Sequence, residues 1–499
     1  MANNRQHGGG RTNRKAARLW TAAVFAIAFA CAVALASQQA GAAEPSAGAG
    51  KPEKHEEEAT LFPVPDYTGD LWRRPALTGD WGGLRTTLAN KGIQFEVDTF
   101  HIFQHVTDTG IDHTGRYSGS ADYTLKVDTH KLGLWPGGFL KVHAETNYGN
   151  SINGDVGSLA PVNGDALFPG LGHNRTAVSN LSFMQFLSPW MGIMLGKIET
   201  YDGDANEFAD DHRTKFLNLG FDFNMVNALM PVSALGTAIV LVPSKDAIFT
   251  LSALDPNGKA TESGFDNFFK DGVVVGGEGR VTIRPFGLTG HQLMGFTWSN
   301  KERVSLLQDP SNIARMLLQE RFPRLQDPGP ILQRILARFF PGLLVPVKPL
   351  NKEQDTWTFY YNFDQYFWNP DRDPNRGVGA FFRFGVSDGQ ANPIKYFYSF
   401  GIGGKGALPG RERDTFGIGW SRMEFSDNLV PFLRDKIKLG LRHEDAVEVY
   451  YNLALTGWLH VTADLQVIDP GLKKTLTHNG QLKNINTAVV TGLRVKISF

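Results

Sequence analysis

The sequence predicts an all-β chain folded as a transmembrane antiparallel β-barrel of about sixteen strands. Three observations carry this prediction. From Gly92 to the last residue, apolar side chains recur with a period of two. The connections between the alternating segments are long and short by turns. The mean hydropathy of −0.22 is too low for a bundle of membrane helices, yet it is ordinary for strands with one apolar and one wet face.

Composition narrows the function classes. The 499 residues include 50 basic and 50 acidic ones, a balance without the basic excess that a nucleic-acid partner requires. A single cysteine rules out an intrachain disulfide framework.

The N-terminus comes first in chain order. Arg5, Arg11, Arg14, Lys15 and Arg18 precede an apolar run from Leu19 to Ala36, with small residues at Ala34-Leu35-Ala36 and Ala40-Gly41-Ala42. This is the order of a secretory signal peptide, assigned to residues 1–43. A retained membrane anchor is the competing reading, opposed by eight alanines in the apolar run. A lipoprotein signal at Cys31 is opposed by Phe29, which stands where a small residue belongs. Cleavage near Ala43 removes five basic residues and leaves a net charge of about −5. Residues 44–76, rich in Ala, Gly, Pro, Glu and Lys, are expected to form a solvated, flexible leader. A short helix over 53–60 is the alternative there. The barrel domain is expected over 77–499.

The strands are expected at 92–107, 119–132, 137–149, 176–187, 192–201, 235–243, 246–254, 278–287, 291–300, 357–368, 378–387, 396–404, 414–425, 447–456, 459–468 and 488–499. In 357–368, Trp357, Phe359, Tyr361 and Phe363 share one face, and Thr358, Tyr360, Asn362 and Asp364 share the other. Segments 235–243 and 396–404 alternate poorly.

Short connections fall at 133–136, 188–191, 244–245, 288–290 and 457–458. Long ones fall at 150–175, 202–234, 255–277, 301–356, 426–446 and 469–487, while 369–413 blurs the rhythm. Outer-membrane barrels put short turns at the periplasmic end and long loops outside, so both mature termini are expected in the periplasm. Two or three soluble β domains would have no reason for this asymmetry. Within 301–356, Ile313, Leu317, Leu318, Ile331, Leu332, Ile335, Leu336 and Phe339 follow helical spacing, so short helices are expected at a barrel mouth. Phe499 ends the last alternating strand.

Motifs with catalytic associations fit poorly. Gly385-Val386-Ser387-Asp388-Gly389 matches a nucleophile elbow, and Gly401 to Gly406 matches a dinucleotide fingerprint, but no helix can follow either one. Asp202, Asp204 and Asn206 resemble the start of a calcium loop whose Gly and final Glu are misplaced. With Asp210 and Asp211 they form an acidic loop, either solvated or narrowing a pore. The 13 histidines show no zinc-binding spacing. No catalytic residue, metal or cofactor is expected.

What remains is the wet face. Period-two register assigns to it Glu96, Asp98, Lys126, Asp128, Lys141, His143, Glu145, Asp464, Arg494 and Lys496, with Tyr360, Tyr366, Phe381 and Tyr450. The pore-lining candidates for solute contact are Lys197, Glu199, Arg280, Arg284, Asp364, Arg383 and Glu448, with Arg284 and Glu199 expected in the narrow zone. Charges of both signs bond sugar hydroxyls, and aromatic faces stack on sugar C–H faces. The plainer alternative is that these charges only pair across the wall and stiffen it.

Several stretches resemble one family. Leu77-Thr78-Gly79-Asp80-Trp81-Gly82-Gly83-Leu84-Arg85 is similar to the opening motif of the carbohydrate-selective porins of the OprB type. So are Gly196-Lys197-Ile198-Glu199-Thr200, Asn206-Glu207-Phe208, Tyr360 to Tyr366, Arg383-Phe384-Gly385, and Tyr450-Tyr451-Asn452 running on to Asp464-Leu465-Gln466. The resemblance implies a sixteen-stranded outer-membrane barrel passing glucose and related small neutral sugars through a charged constriction with arginine and glutamate. It also implies contact with outer-membrane lipid and delivery by the barrel assembly machinery through a terminal aromatic, here Phe499. A nonselective ion porin, a barrel enzyme and an adhesin are the other classes open to such a barrel.

Overall fold

The computed structural model describes residues 61–108, 110–170, 174–201, 204–309, 312, 334, 338, 349–429, 431–436, 438–476 and 482–499. The signal segment, Cys31 and nearly all of the helix-prone stretch in 301–356 lie outside these residues.

Sixteen antiparallel strands close into one barrel in strict sequence order. They are β1 (Ile93–Asp108), β2 (Gly115–Asp128), β3 (Gly138–Gly149), β4 (Thr176–Ser188), β5 (Met191–Glu199), β6 (Ser233–Ser244), β7 (Ala247–Leu254), β8 (Val274–Ile283), β9 (Gly290–Ser299), β10 (Thr356–Trp368), β11 (Gly377–Ser387), β12 (Ile394–Lys405), β13 (Thr415–Phe425), β14 (His443–Ala454), β15 (Leu459–Asp469) and β16 (Ala488–Ser498). Each overlaps one of the sixteen segments read from period two. β16 pairs back onto β1, with Asp98 opposite Ser498, so no edge is left unpaired.

The alternation holds around the wall. Ile402, Ile418, Val449 and Leu465 form one cross-strand row on β12–β15, each more than 40% exposed. This is the apolar outer surface of a membrane barrel. One residue along, the inner row Gly401, Gly419, Glu448 and Gln466 faces inward.

The connections segregate as the rhythm predicts. At one end are turns such as 189–190 and 245–246; at the other are 150–175, 200–232, 255–273 and 300–355. Residues 388–393, between β11 and β12, are a short connection at the long-loop end, which accounts for the blurred stretch. Among the described residues, two-residue strands at Arg303–Val304 and Lys352–Glu353 pair at the base of the longest loop.

The flexible-leader expectation stops short of residue 76. Residues 61–76 pack at the short-turn end: Tyr67 and Ala76 are buried with Ala89, and the Gln94 side chain donates to the carbonyls of Phe62 and Pro63. The opening motif explains this. Asp80 accepts from the amide and hydroxyl of Thr86, both at 2.7 Å, satisfying part of the first turn of helix α1 (Leu84–Asn90). The turn before it passes through Gly82 and Gly83 at φ 70° and 94°, where a Cβ is strained. α1 then aims Arg85 at the barrel seam.

The barrel is not hollow. Loops 150–175 and 200–232 fold inside it and bond each other, Gly164 N to Leu217 O at 2.8 Å and Leu219 N to Pro161 O at 3.0 Å. The core lies between these loops and the inner wall, where Phe208, Phe216 and Phe221 pack on Tyr366, Phe381 and Tyr450.

Candidate functional site

Loop 200–232 is seated by what the inner wall leaves out. A Cβ on Gly403 would stand 2.5 Å from that of Phe208, and one on Gly417 would stand 2.7 Å from the Phe216 ring. Glycines on the inner face of β12 and β13 thus make the sockets for loop aromatics. The Gly401–Gly406 run that imitates a nucleotide fingerprint is part of this wall.

Wall charges then grip the loop. Arg383 of β11 makes a bidentate pair with Asp204, at 2.6 and 2.7 Å, and also donates to the carbonyl of Ala209. Arg494 of β16 donates to the carbonyls of His212 and Lys215, at 2.6 and 2.8 Å. Glu448 of β14 accepts from the amides of Leu217 and Asn218, at 2.5 and 2.9 Å. Asp364 of β10 accepts from the Glu207 amide at 3.1 Å and lies 2.7 Å from His291 Nδ1. Asn206 donates to Asn362 at 2.6 Å. A loop in the middle of a barrel carries many polar backbone groups that must be paired, and charged partners pair them strongly.

The gripped segment brings its own charges. Glu207, Asp210, Asp211, Arg213 and Lys215 follow within nine residues. Glu207 meets Lys405 and the Tyr366 hydroxyl, each at 2.9 Å. Lys215 pairs with Asp210, and Arg213 lies 2.8 Å from Asp122 of β2. Burial pushes the Asp210 carboxyl up to about 6 against the pull of Lys215. Burial also opposes ionisation of Glu207, but the Lys405 ammonium, the Tyr366 hydroxyl and Lys215 together outweigh it and hold the carboxyl below its usual range. Asp211 is likewise held low despite burial, by Lys496 and by the Thr214 hydroxyl. Neighbouring carboxylates on one short segment therefore respond differently to acid.

The seven candidates fall into three groups. Asp364, Arg383 and Glu448 are on the inner wall but at most 2% exposed, covered by the loop they hold. Arg280 lies on the inner face opposite Leu293 and Ile248, and forms no hydrogen bond or ion pair among the described residues. Arg284 and Lys197 depart from the expected register, whereas Glu199 turns to the inner wall. β8 ends at Ile283, so Arg284 sits in the turn and bonds Asp246 at 2.6 Å. Lys197 pairs across strands with Leu181 and Leu235, a row of the outer face, and donates to the carbonyls of Ala260 and Glu262, both at 2.7 Å. Ile198 is the inward residue there, packed with Ala234, Leu254 and Val274. Apolar side chains face inward where loops cover the wall, and this inverts the assignment from period two. Glu199, at the strand end, reaches His143 Nδ1 at 3.0 Å.

The wet-face aromatics also changed role. Tyr360, Tyr366, Phe381 and Tyr450 are at most 8% exposed and bind the loop. The acidic loop enters the lumen, and Asp204 and Asn206 are spent on Arg383 and Asn362; Asp202 lies outside the described residues. Wall residues that sequence reasoning missed include Asp122. Its partner Arg213 is distant in sequence, so no local pattern marks it.

Residues 112–499 match the family described as carbohydrate-selective porin, OprB family. Porin B of Pseudomonas aeruginosa is 21% identical over 459 residues, spanning 85% of this chain and 91% of that protein. The high-pH structure of Pseudomonas putida OprB superposes with a TM-score of 0.69 at 21% identity, covering 86% of this chain and 99% of that one. The low-pH structure of the same protein gives 0.51 at 17% identity over the same shares.

Proposed function

The chain belongs to the carbohydrate-selective porin, OprB family, a family of outer-membrane channels rather than enzymes, and from that premise we propose that it passes small neutral sugars such as glucose through a passage narrowed by loop 200–232. The observation that carries this is the run from Glu207 to Lys215, held in the lumen with charges of both signs. Such a surface offers donors and acceptors to hydroxyls while presenting no single-sign field that would favour ions of one charge.

Arg280 is the wall residue proposed to bond the solute, because its donors bond no protein group among the described residues, although its charge also acts on Glu278 of the same face. Asp364, Arg383 and Glu448 act through the loop, and Lys197 and Glu199 steady the wall and the loop beside it. Hydrogen bonds to charged groups are worth about 1.5–3 kcal/mol at most, and less in pore water. Sugar binding is therefore weak, about −4 kcal/mol in total, as release on the far side requires. We further propose that the short-turn end and both mature termini face the periplasm, that the outer apolar rows meet lipid, and that Phe499 addresses the assembly machinery.

The test is single-channel conductance with and without glucose. Wild-type ion current should fall as glucose is added, and Arg280→Ala should weaken that block while the barrel still assembles. If sugar never alters the current, the passage is that of a nonselective ion porin.

A further inference from the structure

Asp122 of β2 and Glu145 of β3 stand directly opposite each other on the inner wall, and His143 lies two residues before Glu145 on the same face. The three are 8%, 0% and 5% exposed for Asp122, Glu145 and His143. Like charges directly opposite repel, and buried carboxylates require partners. The guanidinium of Arg213 supplies one, with Nε 2.8 Å from Asp122 Oδ2 and Nη2 3.7 Å from Glu145 Oε2. Asp122 Oδ1 and both Glu145 oxygens still have no hydrogen-bond donor among the described residues.

The imidazole is oriented toward the same gap. His143 Nδ1 lies 3.0 Å from Glu199 Oε2 and 3.0 Å from Ser179 Oγ, while Nε2 faces Asp122 Oδ1 at 3.8 Å. Donation of Nδ1–H to Glu199 leaves the Nε2 lone pair aimed between the carboxylates. A ligating histidine is held in this way, by a carboxylate on its other ring nitrogen. One atom from each of the three side chains lies within 4.8 Å of the others.

We propose that Asp122, His143 and Glu145 bind one divalent cation of the zinc class. One imidazole nitrogen and two carboxylate oxygens suit Zn²⁺ or Mn²⁺ better than Mg²⁺, which favours all-oxygen shells. Closing the group to metal–ligand bonds of about 2.0–2.2 Å takes side-chain movements of about 1 Å. Each carboxylate can keep one oxygen for Arg213 and give the other to the ion. With neutral His143, the carboxylates of Asp122, Glu145, Glu199 and the nearby buried Asp165 outnumber the Arg213 guanidinium and the His212 imidazole, and a divalent cation offsets that excess. Because Arg213 belongs to the loop, the ion sits where the loop meets β2 and β3.

The test uses the full protein, purified in detergent and stripped with EDTA. Zn²⁺ alone is titrated by calorimetry, and bound metal is counted after gel filtration. The expected result is one Zn²⁺ per chain, with affinity at least tenfold weaker in Glu145→Gln and His143→Ala. Glu199→Gln, which leaves all three ligands in place, should weaken binding about 10–100-fold. Heat-modifiable mobility confirms that each variant is a closed barrel. A second group, His443, Asp445 and Asp469, has its carboxylates paired with Arg422 and Lys473, so His443→Ala should change nothing. The proposal is overturned if wild type binds no Zn²⁺, if binding survives Glu145→Gln and His143→Ala, or if it depends on His443.

Discussion

Arg383 of β11 and Asp204 of loop 200–232 form a bidentate ion pair, at 2.6 and 2.7 Å, between residues 179 positions apart in the chain. The arginine is fully buried, so its charge acts on the loop. Removing one partner of such a pair costs about 3–5 kcal/mol, because the other charge is left buried and alone. The cost falls on the loop's docking rather than on the ladder of the barrel. Arg383→Gln should therefore give a barrel with normal heat-modifiable mobility but larger and noisier single-channel currents. Unchanged conductance in that variant would mean that the glycine sockets and Arg494 suffice to hold the loop.

A second prediction concerns acid. Asp210 titrates at about 6, raised from 3.8 by burial, with Lys215 opposing, while Glu207 stays ionised well below that. Lowering the pH from 7.5 to 5 should remove one negative charge from the loop and shift ion selectivity toward anions. The inflection should vanish in Asp210→Asn. The sign for stability is the reverse of the usual carboxylate: because the folded value is raised, this group's contribution to folding is complete below about 3.8 and is lost as the pH rises through about 6. Reversal-potential measurements across this range decide the matter, and a flat profile in wild type would count against the burial of Asp210.

The third prediction concerns closure. Arg85 Nη2 donates to the terminal carboxylate of Phe499 and to the carbonyl of Phe95, at 2.9 and 3.0 Å, and the Phe499 amide donates to Val97 O at 2.8 Å. One guanidinium thus joins the first and last strands. Deleting Phe499 should lower outer-membrane levels and leave protein in the periplasm. Arg85→Ala should permit delivery but lower the temperature at which the folded form is lost, at a cost of about 1.5–3 kcal/mol for bonds from a charged donor. Wild-type levels and heat stability in both variants would remove the seam from the account.

Topology can be read by labelling. Lys352 lies in the paired base of the longest loop, and Thr289 precedes β9 at the short-turn end. With the short turns in the periplasm, Lys352→Cys should react with an impermeant reagent on whole cells and Thr289→Cys should not. Equal labelling at the two positions would reverse the proposed orientation or the barrel's placement.

The sequence by itself determined the barrel. A strand with one face in lipid and one in water must alternate, and that pattern is local, so all sixteen strands and the long-short order of their connections were legible. It failed where faces lose that contrast. At Ile198 and Lys197 the inner wall is covered by loops, so the apolar residue turns inward and the lysine outward to the carbonyls of Ala260 and Glu262. Which long loop enters the lumen, and what holds it, only the tertiary structure decided. Asp204 and Arg383, Leu217 and Glu448, and Phe208 and Gly403 meet because closure of the barrel sets distant strands around one loop. The Asp122, His143 and Glu145 group is invisible to metal-binding spacing for the same reason: its members sit on two strands and become neighbours through cross-strand register. Period two is written along the chain, whereas the contents of the lumen depend on pairs that the chain brings together only after the sheet has closed.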